Sequence, residues 1–148
     1  MQPDHGAVIT MKNMLEDKDA IRETMANYCF HFDGGDIDNW VALFTEDGVF
    51  NRGEYGIQNG RAELRAFFTN YPMPDGTPGL MHFISNIVID VNGDRATSKS
   101  YVLVVRPSND GGLVNGLAGR YEDQLIRSGD RWLFKVRKVT FDFLGEMR

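Results

Sequence analysis

The sequence predicts an α+β domain, with helices first and a long antiparallel meander after them. Three observations carry that prediction. Apolar residues recur at helical spacing only in the first half of the chain. A Pro/Gly-rich stretch over 72–79 then separates this half from one that reads as strands. Within the second half, Asn92-Gly93-Asp94 and Ser128-Gly129-Asp130 have the chemistry of hairpin turns. The expected architecture is a curved sheet wrapped around helices.

Taken in order, residues 1–14 show no sustained periodicity and are expected as a loose tail, with a single domain over 15–148. Asp17 or Asp19 can cap a helix that runs to about Asp33. At ~100° per residue, Ile21, Met25, Tyr28 and Phe32 of this helix fall in one apolar stripe. Asp33 lies at its edge, with Cys29 one turn below, and Gly34-Gly35 stops the helix because glycine accepts the left-handed conformation of a C-cap. Asp36 caps a second helix over 38–44, and Thr45-Glu46-Asp47-Gly48 is a turn leading into a strand at Val49-Phe50. A third helix is expected over 62–71. Trp40, Phe44, Phe67 and Phe68 are assigned to the core. Four strands are expected over 80–91, 95–106, 114–127 and 131–143. In the last, Trp132, Phe134 and Val136 alternate on one face while Val139, Phe141 and Phe143 take the other parity, which reads as a β-bulge around 136–138 or as a strand buried on both faces.

The chain has 148 residues, 42% hydrophobic and 25% charged, as an ordinary globular protein does. A formal charge of -5, with no Lys/Arg-rich run, argues against a nucleic-acid binder. One cysteine excludes an intrachain disulfide framework and a cysteine zinc cluster. No apolar run approaches the ~20 residues of a membrane span, and no signal peptide is evident, so the expected location is cytoplasmic with no membrane partner. Asp90, Asp94 and Asp130 have no histidine near them in sequence, so no metal site is expected.

Asp33 is an anion at a helix C-terminus, where the carbonyls already carry partial negative charge, and it needs a positive or protonated partner. There are three histidines. His5 belongs to the tail, and His31, two residues before Asp33, points away from it on a helix. His82 shares a strand face with Leu80, Ile84 and Val88, and reads either as that partner or as a core histidine satisfied by a backbone carbonyl or Asn86. Arg137 reads equally as a side chain aimed inward by the bulge or as a surface arginine paired with a carboxylate. Tyr101 and Tyr121 either line a cavity or pack beneath it.

The ordered set Tyr28, Asp33-Gly34-Gly35-Asp36, Leu43-Phe44, Asp47-Gly48-Val49-Phe50, Asn59-Gly60-Arg61, Met81-His82-Phe83 and Asn86, with Gly119-Arg120-Tyr121, Asp123, Trp132, Phe134 and Arg137, resembles the SnoaL-like branch of the nuclear transport factor 2-like superfamily. The resemblance spans about Leu15 to Phe143. It implies a cone-shaped α+β barrel and, by likeness to dehydrochlorinase and scytalone dehydratase members, an apolar pocket that works without metal or organic cofactor. On that resemblance Asp33 and His82 fall on a catalytic dyad, Arg137 on an arginine that handles developing negative charge, and Phe50 on a pocket aromatic. Tyr28 stands where the dehydrochlorinase has lysine. A phenol is neutral near pH 7, which turns the expectation from chloride elimination toward hydrogen-bonding a carbonyl or hydroxyl. Asn86, Tyr101 and Tyr121 complete the expected substrate contacts.

The chemistry of the dyad stands on its own terms. Histidine as a residue type titrates near neutrality, and a neighbouring carboxylate fixes its tautomer and offsets an apolar surrounding. The resemblance implies an enzyme that takes a proton from carbon in an apolar small molecule (dehydratase, elimination or cyclase chemistry), and a homodimer or homotrimer. Its alternative is a non-catalytic small-molecule-binding or assembly module of the same fold.

Overall fold

The computed structural model describes residues 4–145. Its first helix, α1 (His5–Asp33), is far longer than the expected one. Asp4, not Asp17 or Asp19, caps it by accepting a hydrogen bond from the Gly6 N–H at 3.0 Å. Residues 5–14, expected as a loose tail, are therefore helical; they mix apolar and polar residues without the sustained periodicity that would announce it. The His5 side chain lies outside the described residues.

Asp17 has another task. It takes a bidentate hydrogen bond from Arg127, 2.7 Å to each oxygen, and so ties α1 to the sheet. That bond holds its carboxyl below the usual range against the opposing effect of burial. A depressed carboxyl stabilises the fold above the unfolded-state value of about 4, and that stabilisation disappears as pH falls through the lower folded value. Asp17→Asn is expected to cost about 1–2 kcal/mol at neutral pH. In melts across pH, its gap from the wild type should close below about pH 4.

The apolar stripe of α1 is as its spacing predicts: Ile21, Met25, Tyr28 and Phe32 are all buried. The helix ends at Gly34, and it is Gly35 that takes the left-handed conformation (φ 73°). A Cβ at Gly35 would also meet the Gly76 carbonyl oxygen at 2.6 Å, so the 72–79 loop packs directly on this corner. Asp36 then caps α2 (Ile37–Val41) through the Asn39 N–H. The third helix, α3 (Gly60–Thr69), buries Leu64 and Phe68.

Among the described residues six strands form one sheet, β1 (Phe44–Asn51), β2 (Ile57–Asn59), β3 (Met81–Asn92), β4 (Arg95–Pro107), β5 (Leu113–Ser128) and β6 (Arg131–Leu144). Their order across the sheet is β2-β1-β6-β5-β4-β3. The four expected long strands match β3 to β6 within a residue or so at their ends. The β1–β6 pair is parallel and the rest are antiparallel, which closes the meander against the helical half of the chain. The curved sheet and three helices make the cone-shaped α+β fold that the resemblance implies. Trp40, Phe44, Phe68 and Phe134 are fully buried at the centre, with rings such as Phe32 and Phe68 4.8 Å apart.

Two bulges decide which side chains face inward. On β3, pairing with β4 slips between Ser85 and Val88, and Asn86 adopts φ 56°. Before the slip even-numbered residues face in; after it Ile89 is the buried one and Val88 is exposed. On β6 the slip falls between Phe134 and Val136, leaving Lys135 as the extra residue, just ahead of the expected 136–138. It puts Arg137 and Val139 on the inner face with Trp132 and Phe134.

Candidate functional site

The inner face of the cone holds one cavity of about 190 Å³ with largely apolar walls. Its deep wall is made by Tyr28 of α1, Phe50 of β1 and Tyr121 of β5, all nearly inaccessible to solvent. His82 of β3 forms one side, between the ring edges of Phe32 and Tyr28 at centroid distances of 5.4 and 6.3 Å. For scale, an apolar void of about 150 Å³ takes up benzene.

Asp33 grips His82 twice. Its Oδ1 lies 2.6 Å from the ring Nδ1, and its Oδ2 accepts the backbone N–H of His82 at 2.8 Å. An ionised carboxylate can only accept, so Nδ1 carries the proton and Nε2 is left as the ring nitrogen for the cavity. The geometry follows from local structure: Asp33 is the last residue of α1, and His82 is the second of β3. The carboxylate at the helix terminus thus meets donors rather than bare carbonyls.

The rings of Tyr28 and Tyr121 meet edge to face, their centroids 5.9 Å apart. Burial raises both phenols well above their ordinary value, with Arg137 pulling the other way. Both therefore stay protonated and act as hydrogen-bond donors, not as bases, around neutral pH. Burial likewise pushes the Cys29 thiol up to about 12, which removes it as a nucleophile. Among the described residues, no group of three or more His, Cys, Asp or Glu side chains is arranged to hold a metal ion.

Arg137 is fully buried but does not line the cavity. Its guanidinium lies beneath the ring faces of Tyr121, Tyr28 and Phe134, at 3.5, 4.2 and 4.6 Å from their centroids. Its Nε is 3.1 Å from Asp123 Oδ1, and Ser98 Oγ donates to the other oxygen of that carboxylate at 2.9 Å. The expected direct contact of Arg137 with substrate is corrected accordingly: the bulge aims it inward, and two tyrosine rings cover it.

Two further expectations are corrected. Asn86 is the left-handed bulge residue and faces solvent, because the slip in β3 breaks its alternation with His82. Tyr101 is 54% exposed on the outer face of the sheet, since its neighbours Ser100 and Val102 are the inward residues of β4. Phe67, assigned to the core, is a cavity wall residue.

The sequence reading missed Arg52, Tyr71 and Arg106, which line the same cavity. Parity would have found the arginines. Arg52 is two residues beyond Phe50, and Arg106 continues the inward series Ala96, Ser98, Ser100, Val102, Val104.

A family model described as SnoaL-like domain matches residues 13–138. Three solved structures place the fold among known ones. An NTF2-like protein with a cystatin-like fold from Novosphingobium aromaticivorans superposes with a TM-score of 0.84 at 23% identity, over 96% of this chain and 92% of its own. A candidate scytalone dehydratase from the same organism gives 0.75 at 27% identity, over 90% and 89%. A candidate aromatic ring hydroxylase, also from that organism, gives 0.74 at 29% identity, over 89% and 93%. No curated protein matches the chain.

Proposed function

The chain belongs to the SnoaL-like family, and from that premise we propose that it is a lyase- or isomerase-type enzyme that removes a proton from carbon in a small, ring-sized, largely apolar molecule. The observation that carries the reading is the contact of His82 Nδ1 with Asp33 at 2.6 Å, which leaves Nε2 to an apolar cavity. The likeness to a candidate scytalone dehydratase supports the same class of chemistry.

In this reading Nε2 of His82 takes a proton from a carbon beside a carbonyl. The C–H electron pair moves into a C=C bond and the carbonyl π pair moves onto oxygen, giving an enolate. Tyr28 donates a hydrogen bond to that oxygen. Its raised pKa suits it to donate without surrendering the proton. Asp33 stabilises the imidazolium as it forms. From the enolate, a β-hydroxyl leaves as water with the proton returned by His82, or the proton returns to another carbon; the first is dehydration and the second isomerisation. The chain's own groups carry the proton throughout.

The test is proton exchange rather than a guessed product. Cyclic ketones and β-hydroxy cyclic ketones of one or two rings are incubated with the protein in D2O, and deuterium entry at the α-carbon is followed by NMR. Exchange above the buffer rate is expected for at least one member; no exchange across the set overturns the reading.

The outer face of the sheet favours a second feature of the proposal. Phe83, Leu103, Ala118 and Phe143 pair in one row across four strands and point away from the cavity. Phe83 and Phe143 are 51% and 74% exposed. A homodimer or homotrimer would cover this row, and a non-catalytic assembly module would use it as its docking face. Sedimentation should give a mass of two or three chains, and a monomer that nonetheless exchanges α-protons would remove the assembly reading.

A further inference from the structure

Among the described residues, four hydroxyl-bearing side chains line the cavity: Tyr28, Tyr55, Tyr71 and Tyr121. The proposed reaction uses Tyr28 and has two continuations from the enolate, dehydration and isomerisation. Tyr71 bears on the choice between them. Tyr28 and Tyr121 are buried in the deep wall, whereas Tyr55 is half exposed, its ring 5.1 Å from Phe141 of β6. Tyr71 is half-buried and stands beside the dyad. Its ring is edge-on to Phe32, with centroids 5.1 Å apart, and Phe32 in turn meets the His82 ring at 5.4 Å. Asp33 is among the charges that the Tyr71 phenol feels.

Local structure fixes this ring. Tyr71 follows the end of α3, where its N–H donates to the Phe68 carbonyl at 3.1 Å and Pro72 bars further helix. Phe67 packs on its other side at 5.9 Å. The hydroxyl has no hydrogen-bond partner among the described residues. Burial raises the phenol above its ordinary value, with Arg106 and Arg52 pulling the other way, so near neutral pH it keeps its proton and can donate it in a hydrogen bond. Depth then orders the groups. Tyr28 is deepest, the His82 ring lies 6.3 Å from it, and Tyr71 is farther out, beyond Phe32. A β-hydroxy ketone carries its groups in the same order: carbonyl oxygen, α-carbon, then the hydroxyl-bearing β-carbon. With its carbonyl on Tyr28 and its α-carbon at Nε2, its hydroxyl comes outward, toward Tyr71.

We propose that Tyr71 is a further catalytic residue, which donates a hydrogen bond to the leaving β-hydroxyl, and that the reaction is loss of water from a cyclic β-hydroxy ketone. This inference rests on the proposed function and selects one of its two branches. From the enolate, the oxygen lone pair re-forms the carbonyl, the C=C pair becomes the double bond between the α- and β-carbons, and the β-C–O pair goes to the departing oxygen. That oxygen takes the proton from Nε2 of His82 and leaves as water. Tyr71 keeps its own proton; its O–H stabilises the negative charge that builds on the oxygen before the transfer is complete. Isomerisation places no developing charge at this position and gives the hydroxyl nothing to do.

The test separates the two steps on one molecule. With 3-hydroxycyclohexanone in D2O, deuterium entry at the α-carbon reports proton removal, and the conjugated enone reports water loss. Tyr71→Phe keeps the ring against Phe32 and Phe67 and removes only the hydroxyl. It is expected to lower kcat for water loss by about 10²-fold, the usual worth of one such donor, with α-proton exchange undiminished. The acetate ester of the same alcohol leaves as a stable carboxylate and needs less help, so its elimination should fall by no more than about fivefold. Tyr28→Phe should instead slow exchange and elimination alike. Circular dichroism checks folding; should Tyr71→Phe not fold, Tyr71→Met takes its place. Water loss by the variant at the wild-type rate overturns the proposal. So do equal losses of exchange, water elimination and acetate elimination, which a wall residue that only shapes the cavity would give. Exchange without water loss by the wild type removes this inference and keeps the enzyme reading as an isomerase. No exchange on any probe removes the enzyme reading, and this inference with it.

Discussion

His82→Ala is expected to lower α-proton exchange by about 10²–10⁴-fold, the usual worth of a positioned general base, while the protein stays folded. The survival of the fold is a specific expectation. Asp33 Oδ2 accepts the backbone N–H of residue 82 at 2.8 Å, and that bond does not depend on the side chain. What is lost is the Nδ1 contact and one partly buried ring, a cost of about 1–2 kcal/mol or a few degrees of Tm at this chain length. Rate and stability therefore separate, which distinguishes a catalytic histidine from one that merely fills the core.

Asp33→Asn sharpens the same argument. The amide keeps the shape of the carboxylate but not its charge, so the imidazolium loses its stabilisation and the tautomer is no longer dictated. Its exchange rate should fall between those of wild type and His82→Ala. A folded His82→Ala that exchanges protons at the wild-type rate would place the base elsewhere, and among the described residues that line the cavity no other group has chemistry that suits it. Tyr28 and Tyr121 are held protonated, and Arg52 and Arg106 do not act as bases.

What could be read from the sequence divides along the regular and irregular parts of the backbone. Tyr28 and Asp33 lie on an unbroken helix whose 3.6-residue period places them, and His82 lies before the bulge of β3 where alternation still holds. A carboxylate at a helix C-terminus calls for a partner, which makes His82 a candidate beside its reading as a core histidine; their pairing is what the family resemblance implies. Asn86 is misplaced because a left-handed residue inside β3 reverses the parity counted from His82, and nothing in Ser85-Asn86-Ile87 announces it except the tolerance of asparagine for that conformation. Tyr101 and Arg106 are different cases. The series from Ala96 to Val104 fixes both, one outward and one inward, so the information is present and the aromatic side chain simply outweighs it. The length of α1 is not legible, since residues 5–14 carry no sustained periodicity and their helicity extends from a cap at Asp4.

Arg137→Ala is expected to destabilise the fold by about 3–5 kcal/mol. The cost arises mainly from what remains. Asp123, 3% exposed, would be left in the interior with Ser98 Oγ as its side-chain donor among the described residues. Burial already pushes that carboxyl above its ordinary value despite Arg137 and Ser98, so without the guanidinium it would be driven to take up a proton. If that is the cause, Arg137→Met/Asp123→Asn should recover much of the loss, because it removes both charges, fills the volume and keeps an acceptor for Ser98. The double variant also isolates what Arg137 contributes to the proposed proton exchange. The guanidinium lies beneath the rings of Tyr121 and Tyr28 and so acts through their phenols, making the Tyr28 hydroxyl a better donor. Loss of an influence passed through a ring should cost proton exchange no more than about tenfold, well short of the effect of losing the base. A folded double variant as inactive as His82→Ala would instead mean that Arg137 reaches the substrate directly, through a rearrangement of the two tyrosines that cover it.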